Sequence, residues 1–402
     1  MDAGRLMFPS IACPMPRHSP RTTYWKMAGW LVLLAVIFFM GVLPVVERFI
    51  PPDASWSVRL GQTRSLIMQL MIALWFFAFG SMVGSFINVV VWRMPRGLSV
   101  VSQGSACPWC RARIRLADNI PVFGWIKLGG RCRVCRLPIS VRYPLVEAAF
   151  GILFLVMFLV ELATAAGNLP GGPWHEADGI LAVVIRTQWD LIAVYAWHMT
   201  LVTLLFAWAL IQADGNRIPR KMVVFGLLVG LAVAAALPWL QPVCWSSEGG
   251  AWMPGLVRFN RIASGLAGLA AGFLAGAVLD LWCQRWRPGP AGYYRNSLMI
   301  SGLFLGWQAL ALVVFWFGVL WLAGRRIPVP GSHQRLPPLT WVVVAVVLQL
   351  CIWKPVWQLV GEGSAAAAGY GLAGLAGIAL AMLAARWNVT IPEPETPHTG
   401  SS

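Results

Sequence analysis

Four cysteines stand in two pairs, Cys107-Pro-Trp-Cys110 and Cys132-Arg-Val-Cys135, with 21 residues between the pairs. Each C-x-x-C knuckle turns two thiolates toward one point, and two knuckles at this separation suit a tetrahedral zinc site. Four thiolates leave no open coordination position, so the expected zinc is structural rather than catalytic. Arg131, Arg133 and Arg136 around the second knuckle favour the thiolate form. A pair of redox C-x-x-C motifs is the competing reading. Cys13, Cys244, Cys283 and Cys351 are scattered and lack such spacing.

Carboxylates are the other groups able to do chemistry, and they are scarce: 15 Asp and Glu against 31 Lys and Arg. Asp214 and Asp280 stand at the ends of apolar runs, where an ionisable group invites a functional reading. The competing reading is solvation at a membrane interface, for Asp280 beside Arg285 and Arg287. Glu147 lies just inside another run, five residues after Arg142, and the expectation is a structural ion pair between them. His198 is in mid-run and is expected to hydrogen-bond between helices rather than to ligate.

The elements that must position these groups are set by composition. The chain has 402 residues, 58% hydrophobic and 11% charged, with mean hydropathy +0.68. An ordinary soluble protein carries about 25% charged residues, so a soluble enzyme, a disordered chain and a fibrous protein are all excluded. The expected fold is an all-α polytopic membrane protein with about 8–9 transmembrane helices and a small cytoplasmic zinc-knuckle subdomain. Seven runs are clear: Met27–Val46, Leu66–Trp92, Pro144–Gly167, Leu191–Gln212, Met222–Gln241, Ile262–Cys283 and Leu298–Gly324. Thr340–Val360 and Ala365–Ala385 make two more. Leu298–Gly324 is long enough for a broken or tilted helix. Gly268, Gly272 and Gly276 stand four apart, a spacing that admits close helix approach.

This divides the chain into an N-terminal tail and retained anchor (1–65), a first helix with the knuckle loop (66–143), a membrane core (144–324), C-terminal spans (325–386) and a disordered tail (387–402). The chain's formal charge is +16, and Arg93 to Arg142 holds ten basic residues against Asp118 alone, a net of +9. Basic loops stay cytoplasmic. Alternation then places the loops Asp214–Lys221 and Gln284–Ser297 on the cytoplasmic side as well, and both are basic. The basic loop lacks an aromatic stacking pattern, so no nucleic-acid partner is expected; membrane lipid is.

Gly84-Ser-Phe-Ile-Asn-Val-Val-Val-Trp-Arg-Met-Pro95 closely resembles the opening signature of prepilin peptidases. These are the leader peptidases and N-methylases of type IV pilus and type II secretion systems. The resemblance continues through both knuckles, Asp118-Asn-Ile-Pro121, Gly124-Trp125, Gly130-Arg131-Cys132, Pro138-Ile-Ser140 and Arg142-Tyr-Pro-Leu-Val-Glu147. It resumes weakly to Leu305-Gly-Trp-Gln308. It implies a multi-pass protein of the bacterial inner membrane, acting on pilin-like or pseudopilin precursors. It also implies aspartic proteolysis by two carboxylates that share a proton. S-adenosylmethionine enters as methyl donor by family analogy alone, because the sequence carries no glycine-rich nucleotide-binding fingerprint.

At both family aspartate positions this sequence departs. In Ile211-Gln-Ala-Asp-Gly-Asn-Arg-Ile-Pro219 the position seven before the proline is Gln212, with Asp214 two residues on. The register set by Leu305-Gly-Trp-Gln308 puts the second motif on Ala291-Gly-Tyr-Tyr294, with Tyr294 in the aspartate position. Gln exchanges no proton near neutral pH, and a tyrosine with a reference pKa near 10 is no working carboxylate. The expectation is a family member without the family's peptidase step. The alternatives are an active enzyme with a displaced Asp214/Asp280 dyad, or a non-enzymatic membrane component that binds precursors.

Overall fold

Apolar runs in a bilayer must satisfy their backbone internally, which helices do. The computed structural model describes residues 55–101, 104–170, 187–241, 243, 254–286, 291–324, 327, 336–361 and 364–387. The expected anchor Met27–Val46 and the tail after Trp387 lie outside the described residues. The chain divides at Leu70, residues 71–402 forming one compact unit. In order the helices are α1 (Ser55–Arg93), α2 (Phe123–Lys127), α3 (Arg142–Met157), α4 (Trp189–Ala213), α5 (Arg220–Ala236), α6 (Pro254–Trp286), α7 (Tyr293–Leu305), α8 (Trp307–Gly324), α9 (Pro338–Val360) and α10 (Ser364–Trp387). A π-helical turn, Phe158–Leu162, continues α3. Among the described residues, seven helical segments are long and apolar enough to cross a membrane. The run Met222–Gln241 yields α5, whose 17 residues reach about 26 Å at a rise of ~1.5 Å each.

Leu298–Gly324 is not one span. It breaks at Gly306 (φ 83°, ψ 168°), a conformation open essentially to glycine alone. The chain reverses there. Tyr294 near the start of α7 stacks on Trp321 near the end of α8 (ring centroids 5.8 Å apart) and lies 5.9 Å from Phe317. The segment is therefore an antiparallel helical hairpin, and Leu305-Gly-Trp-Gln308 is its turn. The Ser264 hydroxyl of α6 donates to Gln308 Oε1 at 3.2 Å and anchors that turn.

The glycine spacing on α6 is a packing seam. A Cβ built at Gly268, Gly272 or Gly276 would lie 2.2, 2.1 and 2.3 Å from backbone atoms of Gly302, Leu298 and Arg295. Backbones of α6 and α7 thus touch along three turns. The four-residue repeat continues to Asp280. In α1, Gly84 meets Glu147 Cα and Phe150 Cβ of α3 in the same way, each at 2.9 Å, which accounts for a glycine opening the signature segment.

Candidate functional site

The two knuckles are built alike. In the first, the Cys107 amide donates to Ala112 O at 3.0 Å and the Arg111 amide to Cys107 O at 2.9 Å. In the second, the Cys132 amide donates to Leu137 O at 2.9 Å and the Arg136 amide to Cys132 O at 3.1 Å. Arg111 and Arg136, each just after a knuckle's second cysteine, both take positive φ (56° and 59°). These tight turns bring all four Sγ atoms within 4.8 Å of one another. Cys107 to Cys135 and Cys110 to Cys132 are each 3.9 Å. A tetrahedral zinc with Zn–S near 2.3 Å has sulfur edges of about 3.8 Å, so the thiols fit a metal of that size.

The thiols' own electrostatics point the same way. Burial pushes the Cys132 thiol up, but the amides of Cys135 and Val134 and the nearby sulfurs outweigh it and bring it down to about 7. At Cys135 the Leu137 amide pulls down, yet burial and the three facing sulfurs drive the thiol up to about 11. Converging sulfurs resist a second negative charge, and a dication is what lets all four ionise.

Asp118 staples the second knuckle to the connecting segment. Its carboxylate accepts from Arg133 Nε and Nη2, both at 2.6 Å, with Lys127 Nζ at 3.4 Å. The Arg133 guanidinium holds the Asp118 carboxyl below the ordinary carboxylate value, with burial opposing it and Lys127 assisting. Because the folded value is depressed, the stabilisation is complete above about pH 4 and is lost only as pH falls through the lower folded value. Metal release that takes place above about pH 4 therefore occurs with this pair intact. Arg133 is 42% exposed, which limits the pair to about 1 kcal/mol. Asp118→Asn is expected to weaken metal retention severalfold by a constant factor across the release range, measured as bound metal against pH.

Beneath the knuckles lies the end of the bundle where α4 and α6 finish and α7 begins. The four family or alternative positions all fall here. Gln212 is near the end of α4, and its Oε1 accepts from the Leu339 amide at 2.9 Å, capping the start of α9. Tyr294 is 5% exposed, its ring packed on Phe317 and Trp321. The Tyr293 hydroxyl donates to Asn216 O at 2.5 Å and ties α7 to the loop after α4. Asp214 is bound by the Arg142 guanidinium, with Nη2 to Oδ2 at 3.0 Å and a second contact from Nη1 to Oδ1. Asp280 is buried and accepts from the amides of Tyr294 (3.2 Å) and Arg295 (3.1 Å). It therefore caps α7 from the neighbouring helix, where an anion meets the helix dipole favourably. No hydrogen bond joins Asp214 to Asp280.

One expected ion pair does not form. Arg142 engages Asp214 rather than Glu147, and Glu147 Oε2 accepts from the Val122 amide at 2.7 Å. Val122 has φ 61° and ψ −56°, so the carboxylate holds a strained corner below α2. The Val122 amide takes the Glu147 carboxylate, and the Arg142 guanidinium reaches outward to α4 instead. The expectation for His198 holds: its Nδ1 lies 2.6 Å from Glu161 Oε1 of the π turn. Glu161 was legible as an acid within the run Pro144–Gly167, and sequence reasoning passed over it.

The Bacterial Peptidase A24 N-terminal domain matches residues 78–160, which span the seam of α1 with α3 and both knuckles. A "Prepilin leader peptidase/N-methyltransferase" of Myxococcus xanthus is 32% identical over 302 residues, 71% of this chain and 75% of that protein. An Escherichia coli "Type 4 prepilin-like proteins leader peptide-processing enzyme" is 32% identical over 195 residues, 42% of this chain and 68% of its own length. A Burkholderia pseudomallei "Prepilin leader peptidase/N-methyltransferase" is 30% identical over 286 residues, covering 60% and 86%. No solved structure matches the chain. A membrane helical bundle, paired thiol knuckles and these relatives agree: the chain belongs to the prepilin leader peptidase/N-methyltransferase family.

Proposed function

We propose that this chain recognises prepilin-like precursors at the bacterial inner membrane without cleaving them by two-aspartate chemistry, its knuckles holding structural zinc on the cytoplasmic face. The observation that carries this reading is the employment of Gln212 and Tyr294. Where the family motifs place aspartates, one side chain caps α9 and the other is packed among aromatic rings. Two carboxylates sharing one proton supply both the base for a water and the acid for the scissile carbonyl. An amide and a phenol do not replace them. A displaced Asp214/Asp280 dyad would need carboxylates that are already engaged, one by Arg142 and one by the start of α7. The net +9 of the knuckle segment supports its cytoplasmic placement.

Membranes containing this chain and a type IV prepilin test the proposal. The precursor is expected to stay full length and to co-purify with the chain. Processing that survives Gln212→Ala and Tyr294→Phe refutes the reading. Processing that Asp280→Asn alone abolishes assigns the displaced dyad instead. Relatives couple cleavage with methyl transfer in their names. An already processed pilin supplied with S-adenosylmethionine therefore reads methylation separately from cleavage.

A further inference from the structure

Glu161 and His198 are a second pair of ionisable groups, away from the knuckle end. Glu161 lies 19 residues past Arg142 along α3 and its π turn, about 28 Å at the helical rise. The His198 and Glu161 side chains are 0% and 1% exposed, with Nδ1 and Oε1 2.6 Å apart. Among the described residues, Glu161 Oε2 and His198 Nε2 meet no hydrogen-bond partner. Trp353 of α9 lies beside the imidazole (ring centroids 6.4 Å apart), and its Nε1 is likewise unpartnered. Asn168 ties the same stretch of α9 to the segment after the π turn: its Nδ2 donates to Leu350 O and its own carbonyl accepts from the Lys354 amide, each at 2.8 Å. Both flanking helices are irregular here. Glu161 sits in a π-helical turn, a feature frequent at functional sites. Helix α9 is non-helical at Ile352 (φ −113°, ψ 18°), three residues before Pro355.

Burial constrains the pair's charge. A lone ion in a low-dielectric interior is costly, so the stable state is the one whose net charge is zero. For one carboxyl and one imidazole that state holds a single proton between them. Losing it leaves a bare carboxylate, and adding another leaves an unopposed imidazolium. Among the described residues, no third ligand gathers with Glu161 and His198 to make a metal site; the cysteine quartet is the only such group. The titratable groups facing the pair are Tyr195 of α4 and Cys351 of α9, both within electrostatic reach of Glu161. The Tyr195 hydroxyl is engaged, donating to Phe154 O at 3.0 Å. Lys354 and Asp190, on the same two helices, are exposed and half-buried.

We propose that Glu161 and His198 form an intramembrane proton-binding site, holding one proton between Oε1 and Nδ1, whose occupancy fixes the packing of the π turn against α4 and the kinked turn of α9. This stands whether or not precursors are cleaved.

The full chain in lipid nanodiscs, labelled with 15N-histidine, tests it. The His198 Nδ1 proton is expected far downfield, and it should vanish in Glu161→Gln. A His198 Nδ1 proton that resonates in the wild-type protein where it does in Glu161→Gln overturns the proposal. Hydrogen exchange gives the second arm. With intrinsic rates corrected, protection of segments 158–169 and 347–356 should fall at least about tenfold as rising pH removes the proton, the change expected when ~1.4 kcal/mol of opening free energy is lost. It should stay flat in Glu161→Gln/His198→Gln, whose two amides carry no charge. Wild-type protection that tracks the double variant at every pH overturns the coupling to helix packing.

Discussion

Stripping metal from the purified protein with a chelator is expected to unfold residues 105–140 while α3 to α10 stay folded. The knuckle subdomain has little core of its own. Trp109, Leu116, Phe123 and Ile126 are exposed, and Cys107 and Cys132 are among its few buried apolar groups. What closes it is the convergence of four sulfurs, the Asp118–Arg133 pair and the Trp125 indole, which donates to Ile139 O at 3.0 Å. Structural zinc contributes about 10–16 kcal/mol to such small units, far more than one ion pair and one indole hydrogen bond. Cys132→Ser should have the same effect in the presence of metal. Limited proteolysis reads the result: cleavage within the loop should rise by orders of magnitude, with the membrane core still resistant. Equal protease resistance with and without metal would show that the loop stands without it.

The second large effect is expected at Gly272. Leu298 O lies 2.1 Å from where its Cβ would be, and the nearest atoms are all backbone. No rotamer change relieves such a clash, so α6 and α7 must separate. Overpacked cores ordinarily lose about 1–3 kcal/mol by side-chain adjustment, and Gly272→Leu should exceed that range. The damage should also travel. Asp280 is two repeats further along the same seam and caps α7 only while the helices stay in register. Gly272→Leu should therefore lower the thermal unfolding temperature more than Asp280→Asn does, because it removes the cap along with the seam. By contrast, Gly371→Leu on α10, with open space around it, should leave stability near wild type.

What could be read without coordinates was local. Thiol spacing is a property of a short peptide, so the knuckles were plain from the sequence. The glycine repeat and the excess length of Leu298–Gly324 also sit within single segments, and both led to real features. Pairings across long separations left no such mark. Arg142 and Asp214 are 72 residues apart, and Gln212 reaches the Leu339 amide across 127. Nearest-neighbour reasoning offered Glu147 to Arg142 because it lay five residues away; the strained amide of Val122 that claims Glu147 belongs to a different loop. At the candidate site the types of residue 212 and 294 were legible, but their employment as a helix cap and as part of an aromatic stack was not. Both depend on α9 and α8, which arrive late in the chain.

The reversal at Gly306 changes the parity of the chain. With Leu298–Gly324 as one crossing, everything after it would be inverted, and the last helix would end opposite the knuckles. The hairpin adds one passage. Helix α9 consequently starts at the knuckle end, where Gln212 meets it, and α10 returns to that end, where the Trp282 indole donates to Met382 O at 3.0 Å. One glycine thus decides which compartment receives the end of α10. It is the compartment that holds the net +9 loop, and Glu393 and Glu395 follow that helix in sequence.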